Sequence, residues 1–137
     1  MVDTGLSGRV ALVTGANHGI GAATAVALAR EGAKVLITYL RQSPDVYLVA
    51  PEDAEAAASP GSAYYAREIA QTSESVEAAI AAFGGVCVAR EADLADPLSI
   101  PQLFDVAESE WAGVDILVNN AALAIPCLLY TSDAADE

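Results

Sequence analysis

A glycine-rich turn is the part of this sequence whose residue types and spacing could do chemistry. Residues 14–21 read Thr-Gly-Ala-Asn-His-Gly-Ile-Gly, between a short apolar run and an alanine-rich segment. Gly15 lets the chain leave a strand in a tight turn, Gly19 removes a side chain where a phosphate must approach the backbone, and Gly21 lets a helix pack closely on a sheet. The amino terminus of that helix would offer free N–H groups and a partial positive charge. The turn therefore predicts a site for the pyrophosphate of a dinucleotide.

A tight strand–helix turn that binds no ligand is the alternative interpretation of the same glycines. The strand expected before the turn and the helix expected after it favour the dinucleotide site over that alternative. A P-loop, the other common phosphate-binding turn, is excluded because no Gly-Lys-Ser or Gly-Lys-Thr follows the glycines.

Alternating apolar segments must position this turn. Apolar runs predict strands at residues 10–13, 34–39, 86–89 and 114–119, and periodicity predicts helices at residues 19–31, 63–83 and 97–111. The expected core sides of the last two helices are Ile69, Val76, Ile80 and Phe83, and Ile100, Leu103, Phe104 and Ala107. Strands that alternate with helices predict an α/β fold with parallel strands and right-handed crossovers. Residues 42–62 contain three prolines and little periodicity, which favours a surface excursion over a lid across a ligand.

Charge and composition exclude several classes of partner. The formal net charge of −13 argues against nucleic acid and against an anionic membrane surface. No apolar run approaches the roughly 20 residues of a membrane span, and the first residues do not resemble a signal peptide. We therefore expect a cytoplasmic protein. Cys87 lies in an apolar strand pattern and is predicted to be a small core residue.

Three ordered motifs resemble the short-chain dehydrogenase/reductase family. The spacing Thr-Gly-x-x-x-Gly-x-Gly resembles the family's cofactor loop. Asp93 and Leu94 follow the third strand, where the family places a polar residue against the adenine ring. Residues 119–122 read Asn-Asn-Ala-Ala where the family usually has Asn-Asn-Ala-Gly, so Ala122 adds a methyl group beside the expected cleft. The resemblance covers residues 7–126 and implies a Rossmann-like doubly wound parallel sheet, truncated after its fourth strand.

The same reasoning identifies the residues that would bind the cofactor. Strands one and four flank the point where strand order reverses, so Thr14 and Asn119 are expected to meet there, with Asn120 and Ala121 near the nicotinamide ribose. The predicted cofactor-binding residues are Gly15, Asn17, His18, Gly19, Ile20, Gly21, Tyr39, Arg41, Asp93, Leu94, Asn120 and Ala121.

The end of the second strand favours NADP(H) over NAD(H). NAD-specific folds of this type place an acid there to bind the ribose hydroxyls, whereas this sequence reads Thr-Tyr-Leu-Arg at residues 38–41. Arg41 could pair with the extra 2′-phosphate. His18 stands where NADP-using relatives often carry a basic residue, and a neutral loop histidine is an equally good interpretation.

The carboxyl-terminal residues do not fit the family. The family's tyrosine proton donor stands in a Tyr-x-x-x-Lys pair, but Lys34 is the only lysine here, so no catalytic residue is assigned. Residues 127–137 match, at every position, the translation of a sequencing adapter. We expect residues 1–126 to be half of a cofactor-binding domain and residues 127–137 to be adapter-encoded.

The full-length parent is then expected to be an NADP(H)-dependent oxidoreductase that acts on a small molecule, such as a 3-oxoacyl thioester or a related ketone, and to form a homo-oligomer. A non-catalytic dinucleotide-binding or redox-sensing protein on the same scaffold is the alternative, because a fold does not fix a function.

Overall fold

A four-stranded parallel sheet forms the centre of the described part of the molecule. The structure is a computed structural model that describes residues 2–123. The strands are β1 Val10–Thr14, β2 Lys34–Tyr39, β3 Val86–Glu91 and β4 Ile116–Val118. Their order is β3-β2-β1-β4, and each neighbouring pair is parallel. The α/β prediction is confirmed, and β1 is buried along its whole length because it lies inside the sheet and is covered on both faces.

Five α-helices accompany the sheet in the part of the chain that the structure describes. They are α1 Gly19–Arg30, α2 Pro51–Ala56, α3 Ser62–Ile69, α4 Glu74–Ala81 and α5 Ser99–Trp111, and a 3₁₀ helix spans Pro44–Tyr47. One core forms where α1 and α4 pack on one face of β1 and β2. A second core forms where Leu103 and Ala107 of α5 pack on the other face, against Leu12 and Leu36. Helices on both faces make the sheet doubly wound.

The single helix predicted at residues 63–83 is wrong, because two helices, α3 and α4, occupy this stretch. The break falls at residues 70–73. The carbonyl of Gln71 accepts a hydrogen bond from the side-chain amide of Asn17 (2.9 Å) instead of continuing a helix. The hydroxyl of Ser73 donates to the carboxylate of Glu77 one turn later (2.8 Å) and does not cap a backbone N–H of α4. Phe83, placed in the core by periodicity, follows the end of α4 at Ala81 and is 40% exposed, whereas Val76 and Ile80 are buried as predicted.

Helix α5 begins at Ser99, two residues later than expected. The carboxylate of Asp96 accepts a hydrogen bond from the backbone N–H of Leu98 (2.9 Å), so it closes a turn just before the helix. Ile100 was expected on the core side and is instead exposed, whereas Leu103 and Ala107 are buried as predicted. Cys87 packs against the first core, and burial raises the pKa of its thiol to about 12, so the thiol stays protonated at neutral pH.

Residues 42–62 are more ordered than a surface excursion requires. They contain the 3₁₀ helix and α2, and the ring of Tyr47 packs edge-on against Tyr65 of α3, with centroids 5.2 Å apart. No helix among the described residues is long and apolar enough to cross a membrane. The segment predicted to be adapter-encoded, residues 127–137, lies outside the described residues.

Candidate functional site

A cavity of about 320 Å³ lies at the carboxyl edge of the sheet. Segments that follow β1, β2, β3 and β4 all contribute to its wall, because parallel strands end at the same edge. The lining residues are Gly15, Asn17, His18, Thr38, Tyr39, Leu40, Gln42, Tyr47, Tyr65, Ile69, Ala92, Asp93, Leu94, Ala95, Ala121, Ala122 and Leu123.

A set of hydrogen bonds joins the end of β1 to the segment after β4. The hydroxyl of Thr14 donates to the carbonyl of Val118 (3.3 Å) and accepts from the backbone N–H groups of Asn120 and Ala121 (both 3.0 Å). The side-chain amide of Asn120 donates to the carbonyls of Thr14 and Gly15 (both 3.0 Å). We call these bonds the β1–β4 clamp. Thr14 and Asn119 were expected to meet here: the register pairs Val13 with Val118, the residues just before them, and Thr14 makes its hydrogen bonds to the residues on either side of Asn119.

The β1–β4 clamp explains why glycine occupies positions 15 and 21. Gly15 has φ +64°, and a Cβ there would lie 2.8 Å from the Cα of Ala121. A Cβ on Gly21 would overlap the carbonyl oxygen of Gly15 and lie 2.5 Å from the side-chain nitrogen of Asn120. Neither position has room for a methyl group, so both glycines are needed for the turn, the helix and the clamp to fit together.

Gly19 differs from these two because the space beside it is open. Its φ is +58°, and apart from its chain neighbours and the backbone of its own helix, no atom of the described residues lies within 4 Å of a Cβ built there. It is the first residue of α1, whose amino terminus has no side-chain cap and no acid in its first turn. The N–H groups and the helix dipole at this end can therefore serve an external anion.

Asn17 and His18 fix the middle of the turn. Asn17 is buried and donates to the carbonyl of Gln71 (2.9 Å), which ties the turn to the α3–α4 connection. His18 stands edge-on to Tyr65, with ring centroids 5.7 Å apart. Burial lowers the pKa of His18 below its ordinary value of 6.5, against a smaller opposing effect of Glu68. His18 is therefore neutral at pH 7 when no anion is bound.

Arg41 does not line the cavity. Its guanidinium forms a bidentate ion pair with Glu91 at the end of β3, with Nη2–Oε2 at 2.9 Å and Nε–Oε1 at 3.0 Å. The pairing of β2 with β3 brings these residues together, because Tyr39 lies opposite Glu91. Among the predicted site residues, Gly15, Asn17, His18, Tyr39, Asp93, Leu94 and Ala121 line the cavity, whereas Gly19, Ile20, Gly21, Arg41 and Asn120 do not.

Sequence reasoning did not identify several cavity residues. Leu40, Gln42 and Ala92 adjoin predicted residues and could have been included on that ground. Tyr47 and Tyr65 come from the 3₁₀ helix and from α3, and no spacing in the sequence relates them to the glycine turn. The only indication in the sequence was a tyrosine, Tyr47, close to the prolines of residues 42–62.

A parallel sheet with helices on both faces and a glycine turn at its carboxyl edge is the arrangement of dinucleotide-binding α/β domains. The chain belongs to the short-chain dehydrogenase family. The family model described as short chain dehydrogenase matches residues 9–86, and the model described as Enoyl-(Acyl carrier protein) reductase matches residues 49–136.

Two curated relatives illustrate the match. The chain is 33% identical over 133 residues to a 3-oxoacyl-[acyl-carrier-protein] reductase of Synechocystis. This alignment covers 97% of this chain and 43% of the relative. It is 35% identical over 133 residues to the chloroplastic NADPH-dependent aldehyde reductase 2 of Arabidopsis thaliana. This alignment covers 96% of this chain and 43% of the relative. The chain therefore spans less than half the length of these relatives.

Solved structures of the family agree with the fold. A short-chain dehydrogenase/reductase from Serratia marcescens superposes with a TM-score of 0.60 at 36% identity, covering 86% of this chain and 37% of that one. A short chain dehydrogenase from Mycobacterium avium superposes with a TM-score of 0.62 at 37% identity, covering 87% of this chain and 36% of that one.

We predict that Gly19→Ala weakens NADPH binding by about tenfold or more, because the methyl group would displace a phosphate from charged hydrogen bonds to the helix amino terminus. Gly84→Ala is the matched control: Gly84 has φ +78° and open space around it, but lies between α4 and β3. Both variants carry a similar backbone strain of about 1–2 kcal/mol. Fluorescence titration with NADPH should separate them, and equal affinities would contradict the assignment of the turn.

We also predict that the affinity for a phosphorylated ligand depends on pH through the protonation of His18. A bound phosphate favours the charged imidazolium, so affinity for adenosine 2′,5′-bisphosphate should gain a contribution as the pH falls from about 7 to about 5.5. The His18→Gln variant should lack that contribution, while protonation of the ligand's phosphates affects both proteins alike. Calorimetric titrations at several pH values measure the difference. Parallel pH profiles would show that His18 does not contact a phosphate.

Proposed function

We propose that the full-length protein is an NADP(H)-dependent oxidoreductase that interconverts a hydroxyl and a carbonyl group, and that this chain supplies the cofactor-binding half. The observation that carries the proposal is the amino terminus of α1. It is uncapped, free of acids, open at Gly19 and adjacent to the cavity at the carboxyl edge of the sheet. A chain of net charge −13 would attract no dinucleotide at long range, so local donors must hold the pyrophosphate.

The adenosine end would lie between the ends of β2 and β3. Asp93 and Leu94 line the cavity here and are the pair expected beside the adenine ring. The carboxylate of Asp93 accepts from the N–H of Ala95 (2.9 Å), which holds this turn in place. Tyr39 ends β2 without an acid, and this supports NADP(H) over NAD(H). The name of the Arabidopsis relative, an NADPH-dependent reductase, supports the same preference.

The substrate would be a small carbonyl compound, with a 3-oxoacyl thioester or a related ketone as the first candidate. The name of the Synechocystis relative supports this class. The bound cofactor supplies hydride chemistry, and the described residues would bind and orient it. We do not assign a proton donor, because Lys34 is the chain's only lysine and no Tyr-x-x-x-Lys pair exists in the 137 residues.

The second candidate function is a dinucleotide-binding or redox-sensing protein without catalysis, because a fold does not fix a function. The two candidate functions predict different coding sequences beyond residue 126. We propose that residues 127–137 are adapter-encoded and that the genomic locus continues differently. A Tyr-x-x-x-Lys pair in that continuation supports the oxidoreductase, and a continuation without one supports the binding protein.

We predict that the 137-residue chain binds NADPH but does not oxidise or reduce any alcohol or ketone. Binding is followed by NADPH fluorescence, and turnover by absorbance of the nicotinamide with a panel of ketones and alcohols. The Gly19→Ala variant serves as the control with weakened binding. Failure of the chain to bind either NADPH or NADH would overturn the proposed cofactor role, and turnover above the background without protein would overturn the expected inactivity.

A further inference from the structure

The ion pair between Arg41 and Glu91 is the feature that the proposed function leaves unexplained. The Nε and Nη2 atoms of Arg41 and, at 3.4 Å, its backbone N–H all donate to the Glu91 carboxylate. The side-chain hydrogen bond from Arg41 holds the pKa of Glu91 below its ordinary value, so the carboxylate is charged at neutral pH. One acid thus engages two of the three nitrogens of the guanidinium group.

The position of this pair relates it to the cavity. Leu40 and Gln42 line the cavity on either side of Arg41 in the sequence, whereas the side chain of Arg41 itself is turned towards β3. Glu91 lies directly before Ala92 and Asp93, which also line the cavity. Arg41 and Glu91 therefore adjoin, in the sequence, cavity residues at the expected adenosine end.

The described residues offer few other charges to a 2′-phosphate. Within residues 2–123, no lysine or arginine lines the cavity, and His18 is neutral at pH 7. Arg67 is engaged elsewhere, with Glu68 and with the carbonyl of Ala57. Arg41 adjoins the cavity residues Leu40 and Gln42 in the sequence, and the carboxylate that pairs with it would also repel a phosphate dianion.

We propose that Glu91 determines cofactor specificity by competing with the 2′-phosphate for Arg41. In the absence of ligand, Arg41 pairs with Glu91; a 2′-phosphate recruits the guanidinium, and the pair opens. The pair is exposed to solvent on both sides, so opening it costs little, and Glu91 weakens the preference for the phosphorylated ligand without abolishing it. This inference rests on the proposed function, in that it needs an adenosine ligand in this cavity.

The test compares adenosine 2′,5′-bisphosphate with AMP, because these probes differ in the 2′-phosphate and need none of the nicotinamide half of the site. Calorimetric titration of the 137-residue chain should show that Glu91→Gln tightens bisphosphate binding by about two- to fivefold and leaves AMP binding unchanged. Arg41→Ala should weaken bisphosphate binding selectively. In the double variant, Glu91→Gln should lose most of its effect, because the cation for which it competes is gone.

Glu31→Gln is the control for net charge. It removes one negative charge just after the far end of α1, about 18 Å along the helix axis from Gly19. It should leave the affinity for both probes unchanged. A gain equal to that of Glu91→Gln would assign the effect to overall charge and overturn the inference.

Two further outcomes separate this inference from the proposed function. If AMP and the bisphosphate bind but Glu91→Gln leaves bisphosphate binding unchanged or weakens it, Glu91 does not compete for Arg41 and the inference is wrong, while the cofactor site stands. If neither probe nor NADPH binds to any variant, the proposed function fails, and the inference fails with it.

Discussion

The β1–β4 clamp is the interaction on which the rest of the site depends. The hydroxyl of Thr14 uses its single donor and two acceptor positions within one cluster, and Asn120 binds the carbonyls on either side of the strand end. These bonds fix where β1 stops and how closely the segment after β4 approaches the turn. Positions 15 and 21 must be glycine because the clamp fills the space that a side chain would need. Gly19 stands just outside it and remains open.

Local geometry and overall charge act in opposite directions in this molecule. The net charge of −13 disfavours any polyanion at a distance, although salt screens this effect beyond roughly 8 Å at physiological ionic strength. At contact distance, the uncapped amino terminus of α1 provides donors and a dipole without a single basic side chain in its first turn. A site of this kind depends on backbone geometry, and this explains why substitutions of glycine should affect it more than substitutions of surface charges.

The sequence was sufficient for the parts of the fold that rest on local pattern. Buried strands and an alanine-rich helix leave clear apolar signatures, and the order of the strands is the one that the resemblance to a doubly wound fold implies. It was insufficient where a distant partner decides the outcome. At the break between α3 and α4, the side chain of Asn17 donates a hydrogen bond to the carbonyl of Gln71. The side chain of Arg41 is oriented by its ion pair with Glu91 in a neighbouring strand. Tyr47 and Tyr65 reached the cavity through packing that no spacing encodes.

The central claim is that the amino terminus of α1 binds a pyrophosphate. Titration of the ¹⁵N-labelled chain with ADP, followed by the backbone amide signals in NMR spectra, tests it most directly. The account predicts the largest shifts at Gly19, Ile20 and Gly21, because their N–H groups would gain charged hydrogen bonds. Gly84, which shares the backbone conformation of Gly19 but lies between α4 and β3, should not move. Saturable binding of ADP that leaves the three amides of α1 unshifted would contradict the account.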